Sequence, residues 1–278
     1  MIHPRSLSPV RIPSPTPESP MTRFARTALA FGLALSLAPL AQAADLPDAR
    51  RLIDAHIAAT GGKEVYAKYG EGTTKVQMEI VENGMKLDMT LYGRGSDRLS
   101  VMSIPGAGDF RSGYSGGVAW GMDPMNGPRL LEGKERDQQI EQSDARIALH
   151  DPAVIASAKT VGLSDSEGRP CYRVEIKWVS GRESAECYGT EDGLLLSSES
   201  TVTTPMGDLK QVSHMSDYKA FGAIKVPAKT KSQAAGMTQL ITIVSIDPTA
   251  PDATLFALPT AIDALVKKQT GTQAGSEK

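Results

Sequence analysis

The chain has 278 residues, a formal net charge of −2 and 40% hydrophobic residues. That length fits one large domain or two small ones. A near-neutral to acidic balance excludes the basic surface on which nucleic-acid binding depends.

Residues 1–20 (MIHPRSLSPVRIPSPTPESP) are rich in Pro and Ser and show no apolar period. Residues 21–43 combine a basic start at Arg23 and Arg26, an apolar run from Ala28 to Leu40, and the small-x-small site Ala41-Gln42-Ala43. This pattern is that of a secretory signal peptide. Residues 1–20 are therefore expected to be a non-native extension upstream of a true start at Met21, and the mature protein to begin at Ala44 in the periplasm. The junction has no Cys for lipid attachment. No later run is apolar enough for a transmembrane anchor. The first 43 residues hold four Arg and one Glu, which leaves 26 basic against 31 acidic residues in the remainder. One domain is expected over residues 44–268, followed by a disordered polar tail over 269–278.

Asp45 to Thr60 has Ala49, Leu52, Ile53 and Ile57 at helical spacing. Asp45 is expected to cap this helix and Gly61-Gly62 to stop it. Asp54 and His56 lie two apart and diverge on a helix, so His56 is expected at the surface or its boundary. The period then changes to two. KVQMEIV (Lys75–Val81) and MKLDMTLY (Met85–Tyr92) flank Asn83-Gly84, a strong hairpin signal. A two-residue loop would set Ile80 opposite Leu87, Met78 opposite Met89 and Val76 opposite Leu91. All six fall on one face, with Lys75, Gln77, Glu79, Lys86, Asp88 and Thr90 on the other.

Further strands are expected at Asp97–Ile104, Asp109–Tyr114, Gly117–Met122 and Arg129–Gly133. Val118, Trp120 and Met122 share one strand face, with Trp120 as an anchor of the sheet. Lys134–His150 is polar and reads as a surface helix or a long loop with helical character. Strands resume near Lys159 and include Cys171–Val179, Glu183–Tyr188, Leu194–Thr203, Leu209–Asp217, Lys225–Gln233 and Met237–Asp247. A short helix is expected over Pro259–Lys268. The two cysteines, Cys171 and Cys187, fit a disulfide in an exported chain, with two buried free thiols as the alternative. A direct pair needs the hairpin centred on Val179, just before the Ser180-Gly181 turn. Without a bulge there, the sulfurs sit diagonally.

The glycine-rich stretch GYSGGVAWGMDPMNGP (Gly113–Pro128) lacks both the G-x-G-x-x-G entry into a helix and a Gly-Lys-Ser/Thr triplet, so it is not a phosphate loop. Ser115 lacks the spacing of a nucleophile elbow, and no H-E-x-x-H metal motif occurs. His56, His150 and His214 are scattered and form no ligand cluster with the cysteines. No catalytic residue, metal site or cofactor is expected, and the protein is read as a binding protein, not an enzyme. Eleven Met against only 5% aromatic residues is unusual for a β-rich chain. Flexible thioethers suit an apolar surface that adapts to ligands of varied shape.

Gly116 to Pro124 (Gly-x-x-x-Trp-x-x-Asp-Pro) resembles a hairpin of LolA-like periplasmic lipoprotein carriers. Gly193–Lys229, with Tyr218, Gly222 and Pro227, resembles the later hairpin of that superfamily. FALP (Phe256–Pro259) resembles an end motif of its outer-membrane lipoprotein-sorting domains. The resemblance implies a mainly β protein with an α lid (α+β). Its strongly curved antiparallel sheet of about 11–13 strands would form an incomplete β-barrel covered by helices. It implies a hydrophobic ligand, lipid or lipoprotein acyl chains, bound in the cavity in a role in transport or outer-membrane lipoprotein sorting. Met78, Ile80, Leu87, Met89 and Leu91, joined by Trp120 and Met122, are the candidate lining. A monomer is expected. The alternative is an envelope sensor or regulatory module on the same scaffold, with a protein partner.

Overall fold

A computed structural model describes residues 45–68, 70–204 and 207–276. The N-terminal extension, the signal peptide and the Ala44 start expected from the sequence lie outside these residues. Helix α1 (Ala49–Ala59) and the single turn α2 (Lys63–Tyr66) come first. The α1 cap is Asp48, whose carboxylate accepts from the backbone N–H groups of Arg50 and Arg51, and not the expected Asp45. Pro47 is thereby left outside the helix, where its carbonyl accepts from the Thr160 hydroxyl at 2.6 Å.

Six strands follow: β1 (Gly72–Ile80), β2 (Met85–Arg94), β3 (Asp97–Ile104), β4 (Gly108–Ser115), β5 (Val118–Asp123) and β6 (Gly127–Leu130). Helices α3 (Gly133–Ser143) and α4 (Ala145–Ala148) interrupt them. Seven more strands complete the sheet: β7 (Ile155–Ser166), β8 (Arg169–Trp178), β9 (Glu183–Gly189), β10 (Leu195–Thr204), β11 (Gly207–Phe221), β12 (Ile224–Ala234) and β13 (Met237–Asp247). β7 begins earlier than expected, at Ile155. Helix α5 spans Thr260–Ser276, past the boundary expected at Lys268. At the crossing the Thr270 hydroxyl bonds back to the carbonyls of Val266 and Lys267.

The thirteen strands form one antiparallel sheet in the order β6-β5-β4-β3-β2-β1-β13-β12-β11-β10-β9-β8-β7. The strand number and the open, helix-covered sheet match the expected fold class. β1 joins the first six strands to the last seven by pairing with β13, so the first and last strands meet in mid-sheet. The edges β6 and β7 are not paired with each other, and the sheet does not close. It must nevertheless curl. β4 and β10 stand seven steps apart in the strand order, about 34 Å in a flat sheet at ~4.8 Å per step. Helix α3, whose 11 residues span about 16 Å, touches β4, β5 and β10.

The β1–β2 turn corrects the expected register. Met78 faces Leu87, Val76 faces Met89 and Ile80 faces Met85. The slip is two residues because Val81 continues the pairing with β13: its N–H donates to the Thr238 carbonyl at 2.9 Å. The chain reverses over four residues, with Gly84 at φ 66° and its N–H bonded to the Ile80 carbonyl. A two-residue slip preserves the side-chain faces, so the division into an apolar and a polar face stands.

Among the described residues, two of the three buried cores flank the sheet on opposite faces. The larger packs Ala49, Ile53 and Ile57 of α1 and Tyr66 of α2 against Val174, Ile176, Trp178, Tyr188, Ile224 and Val226. The smaller packs Phe256 and Ile262 against Leu99 and Trp120. We call the α1 side the inner face. Following the cross-strand pairs from Val174 through Glu186, Ser198, Ser213, Ser232, Gln239 and Ile80 to Met85 keeps the chain of neighbours on this inner face.

Candidate functional site

Helix α3 bridges β4 and β5 to β10 across the curled sheet, and we call it the lid. Its sequence, GKERDQQIEQS, has one large apolar residue, Ile140, so it adds little apolar filling of its own. Polar bonds tie it to the far side of the curled sheet. Lys134 pairs with Asp208 at 2.8 Å, and the Gln138 carbonyl oxygen accepts from the Thr203 N–H at 2.9 Å. Glu141 pairs with Arg182 at 2.8 Å. The Arg182 guanidinium stacks 4.4 Å above the Trp178 ring, which fixes the β8–β9 turn on the inner side.

Beside this lid lies an apolar strip. Two cross-strand rows build it: Thr230–Ile241–Met78–Leu87, and Ile243–Val76–Met89–Met102–Phe110. Val76 and Leu87 are buried, and Met78, Ile80, Met89 and Met102 are half-buried. Among the described residues, Met78, Ile80, Leu87, Met89 and Met102 pack into neither of the two cores. Ile243 connects the strip to the larger core.

The structure divides the seven residues expected to line a cavity. Met78, Ile80, Leu87, Met89 and Leu91 share the inner face, with Leu91 at its margin and 38% exposed. Trp120 and Met122 are on the opposite face and belong to the core under α5. Their grouping with the other five is corrected here. The reason is register: Trp120 faces Gly113, which faces Leu99, which faces Tyr92, the neighbour of Leu91 that points the other way. Gly113 is required there, since a Cβ would stand 2.9 Å from the Trp120 ring. The sequence reading missed Met102, Phe110, Ile241 and Ile243. Their alternation was visible, but the β1–β13 pairing that sets Ile241 and Ile243 beside Met78 and Val76 was not.

A buried polar cluster anchors α1 and α4 to the larger core. His56 is 7% exposed, where a position at the surface or its boundary was expected. Its Nδ1 accepts from the Leu195 N–H at 3.1 Å, so the ring proton sits on Nε2, 3.3 Å from the Tyr66 hydroxyl. Burial pushes the His56 pKa down to about 4, which keeps the ring neutral at ordinary pH. His150 and Glu186 form a second pair, with Nε2 2.9 Å from Oε2. Burial alone would push His150 down and Glu186 up. The mutual attraction outweighs burial, raising His150 and lowering Glu186. The Tyr188 hydroxyl donates to Glu186, and burial with that carboxylate raises Tyr188 well above its ordinary value. Arg50 of α1 donates to the His150 carbonyl and pairs with Asp54. Each member of the cluster is held by another, which makes it a clamp for the helices.

A separate cleft of roughly 330 Å³ is lined by Arg50, Lys63, Glu64, Ala67, Leu149, Asp151 and Pro152. It shares no residue with the apolar strip. Among the described residues no group of three or more His, Cys, Asp or Glu is placed to hold a metal ion. No helix among them is long and apolar enough to cross a membrane.

The cysteines are joined. Arg173 faces Cys187 and Cys171 faces Gly189, so the hairpin is centred on Ser180 and the bridge runs diagonally, with Cα atoms 5.5 Å apart. No bulge was needed. Cys171 and Cys187 pack with Leu194 and Leu196 in a small core of their own. Gly189 opposite Cys171 is held bare by its surroundings, since a Cβ there would meet Asp192 Oδ1 at 2.5 Å.

No family model and no curated protein matches the sequence. Solved structures do match. A LolA superfamily protein from Nitrosomonas europaea aligns over 77% of this chain and 99% of its own, at 9% identity and a TM-score of 0.50. A DUF1329 family protein from Desulfovibrio piger aligns over 76% of this chain and 100% of its own, at 11% identity and a TM-score of 0.50. The chain therefore has the LolA-like fold: a curved, unclosed antiparallel sheet whose inner face is covered by helices.

Proposed function

We propose that this protein is an exported periplasmic carrier that binds the acyl chains of a lipid or lipoprotein on the inner face of its sheet, without chemistry. One observation carries this reading. Val76, Met78, Ile80, Leu87, Met89 and Met102 form an apolar strip beside a polar lid, and the five named above pack into neither core. An apolar surface with little apolar filling from the helix beside it is the arrangement an acyl chain needs. Burying ten methylenes contributes about 8 kcal/mol, which corresponds to micromolar affinity before the costs of association. The thioethers let one strip accept chains of different length and branching. The disulfide supports an oxidising compartment, and the shared LolA-like fold supports the same use of the inner face.

The test is native mass spectrometry of the protein purified from its own envelope, with displacement of a fluorescent fatty-acid probe. Co-purified lipid and probe displacement support the carrier. Empty protein that binds no probe refutes it. A stoichiometric protein partner without lipid would favour the sensor alternative.

A further inference from the structure

We infer that the inner face carries a headgroup site beside the acyl strip, and that it selects an uncharged, hydroxyl-rich headgroup such as a glycerol or sugar. This inference rests on the carrier reading above and narrows its ligand class. One cross-strand row runs Ser198–Ser213–Ser232–Gln239 and then turns apolar at Ile80 and Met85. The row behind it holds Ser200 and Gln211, and the row in front holds Thr230 beside Ile241 and Met78. Hydroxyls and amides thus occupy the β10–β12 side of a surface whose β13–β3 side is methionine and aliphatic.

Three of these polar groups are pre-organised. The Gln211 amide nitrogen lies 2.7 Å from Ser232 Oγ and 3.2 Å from Ser213 Oγ, and the two hydroxyls are 3.0 Å apart. Ser213 and Ser232 are buried. Four others, Ser198, Ser200, Thr230 and Gln239, are half-buried and, among the described residues, make no side-chain hydrogen bond. They are donors and acceptors open to a ligand.

The dimensions match a single amphiphile. Four strands give the polar row a width of about 14 Å, and successive same-face rows lie about 7 Å apart along a strand. A headgroup on Ser213, Ser232 and Gln239 therefore places the first methylenes on Ile241 and Met78. The charge pattern sets the class. From Ser198 to Met85 the row holds no Lys, Arg, Asp or Glu, and Glu82, just past β1 in the row behind, already accepts from the Thr238 N–H. The nearest carboxylate in the row, Glu186, is already paired with His150. A charged headgroup would lose hydration here with no counter-charge from the rows themselves, and the nearby Lys134 of α3 is already paired with Asp208, whereas a polyol exchanges water for hydroxyls and amides.

The experiment compares probes of one chain length below their aggregation limits: monolauroylglycerol, laurate and dodecylphosphocholine, each competing with a fluorescent acyl probe at pH 8. The expected result is at least tenfold tighter binding of monolauroylglycerol than of laurate. In Ser213→Val/Ser232→Val that preference falls below threefold while laurate affinity holds. If the double variant does not fold, Ser198→Ala/Gln239→Leu gives the same comparison on half-buried positions. Equal binding of all three probes, or a preference that survives both variants, overturns the headgroup site and leaves the carrier standing. Failure of every C12 probe to bind overturns both.

Discussion

The backbone N–H of Leu195 donates to Nδ1 of His56 across 139 residues, at 3.1 Å. It does so where the β9–β10 pairing shifts between Leu195 and Ser197. The irregularity releases an N–H from the ladder, and α1 supplies its acceptor. Protonation of His56 would turn that acceptor into a donor and break the bond.

Acid lability follows. The folded pKa of His56 lies near 4, below its ordinary value of 6.5. Its contribution is complete above pH 6.5, declines as pH falls towards 4, and is gone below that. The loss is about 3 kcal/mol. Urea titrations at pH 7 and pH 4 measure it. His56→Asn keeps an acceptor near Nδ1 without a titrating ring, and its stability should change less between the two pH values than that of the wild type.

The His150–Glu186 pair should behave as a buried ion pair does. Removing one partner, as in Glu186→Gln, should cost about 3–5 kcal/mol, because the other keeps its burial and loses its counter-ion. His150→Leu/Glu186→Leu should cost less than the sum of the singles in a double-mutant cycle. The signs for pH differ by group. Glu186 is lowered, so its contribution is lost as pH falls through its folded value. His150 is raised, so its contribution is lost as pH rises through its folded value. A wild-type stability profile that stays flat on the alkaline side would contradict the assignment.

Reduction of the Cys171–Cys187 bridge should lower stability by about 3 kcal/mol, since it closes a loop of sequence separation 16. Cys171 is 0% and Cys187 4% exposed, so thiol labelling after mild reductant should stay negligible until the protein is unfolded in urea. Cys171→Ala/Cys187→Ala should keep acyl-probe binding at temperatures where it is folded, because the bridge lies on the face opposite the strip.

The two faces should also separate in mutagenesis. Met78→Lys and Met89→Lys should each weaken acyl-probe binding at least tenfold with a modest effect on the melting temperature, because both sites are half-buried. Trp120→Ala should show the reverse: a loss of about 3–5 kcal/mol from the core under α5, with probe affinity of the folded fraction unchanged. Probe binding lost in Trp120→Ala while its melting curve stays wild-type would contradict the division.

Side-chain parity was legible in the sequence because a strand has period two. KVQMEIV and MKLDMTLY fixed which residues share a face even though their register was wrong by two. Glycine, proline and asparagine marked most of the reversals, since few other residues accept those backbone angles. The Cys171–Cys187 pairing was legible from residue type, and its diagonal geometry was among the stated outcomes. Other features depended on contacts far apart in sequence. The β1–β13 pairing brought Ile241 and Ile243 beside Met78 and Val76. The path of α5 made the Trp120 side a core. The packing of α1 buried His56, which its own helix left looking peripheral. Local periodicity reports which way a side chain points. What covers it depends on elements that meet only after the chain has folded, and no period of two or 3.6 encodes that meeting.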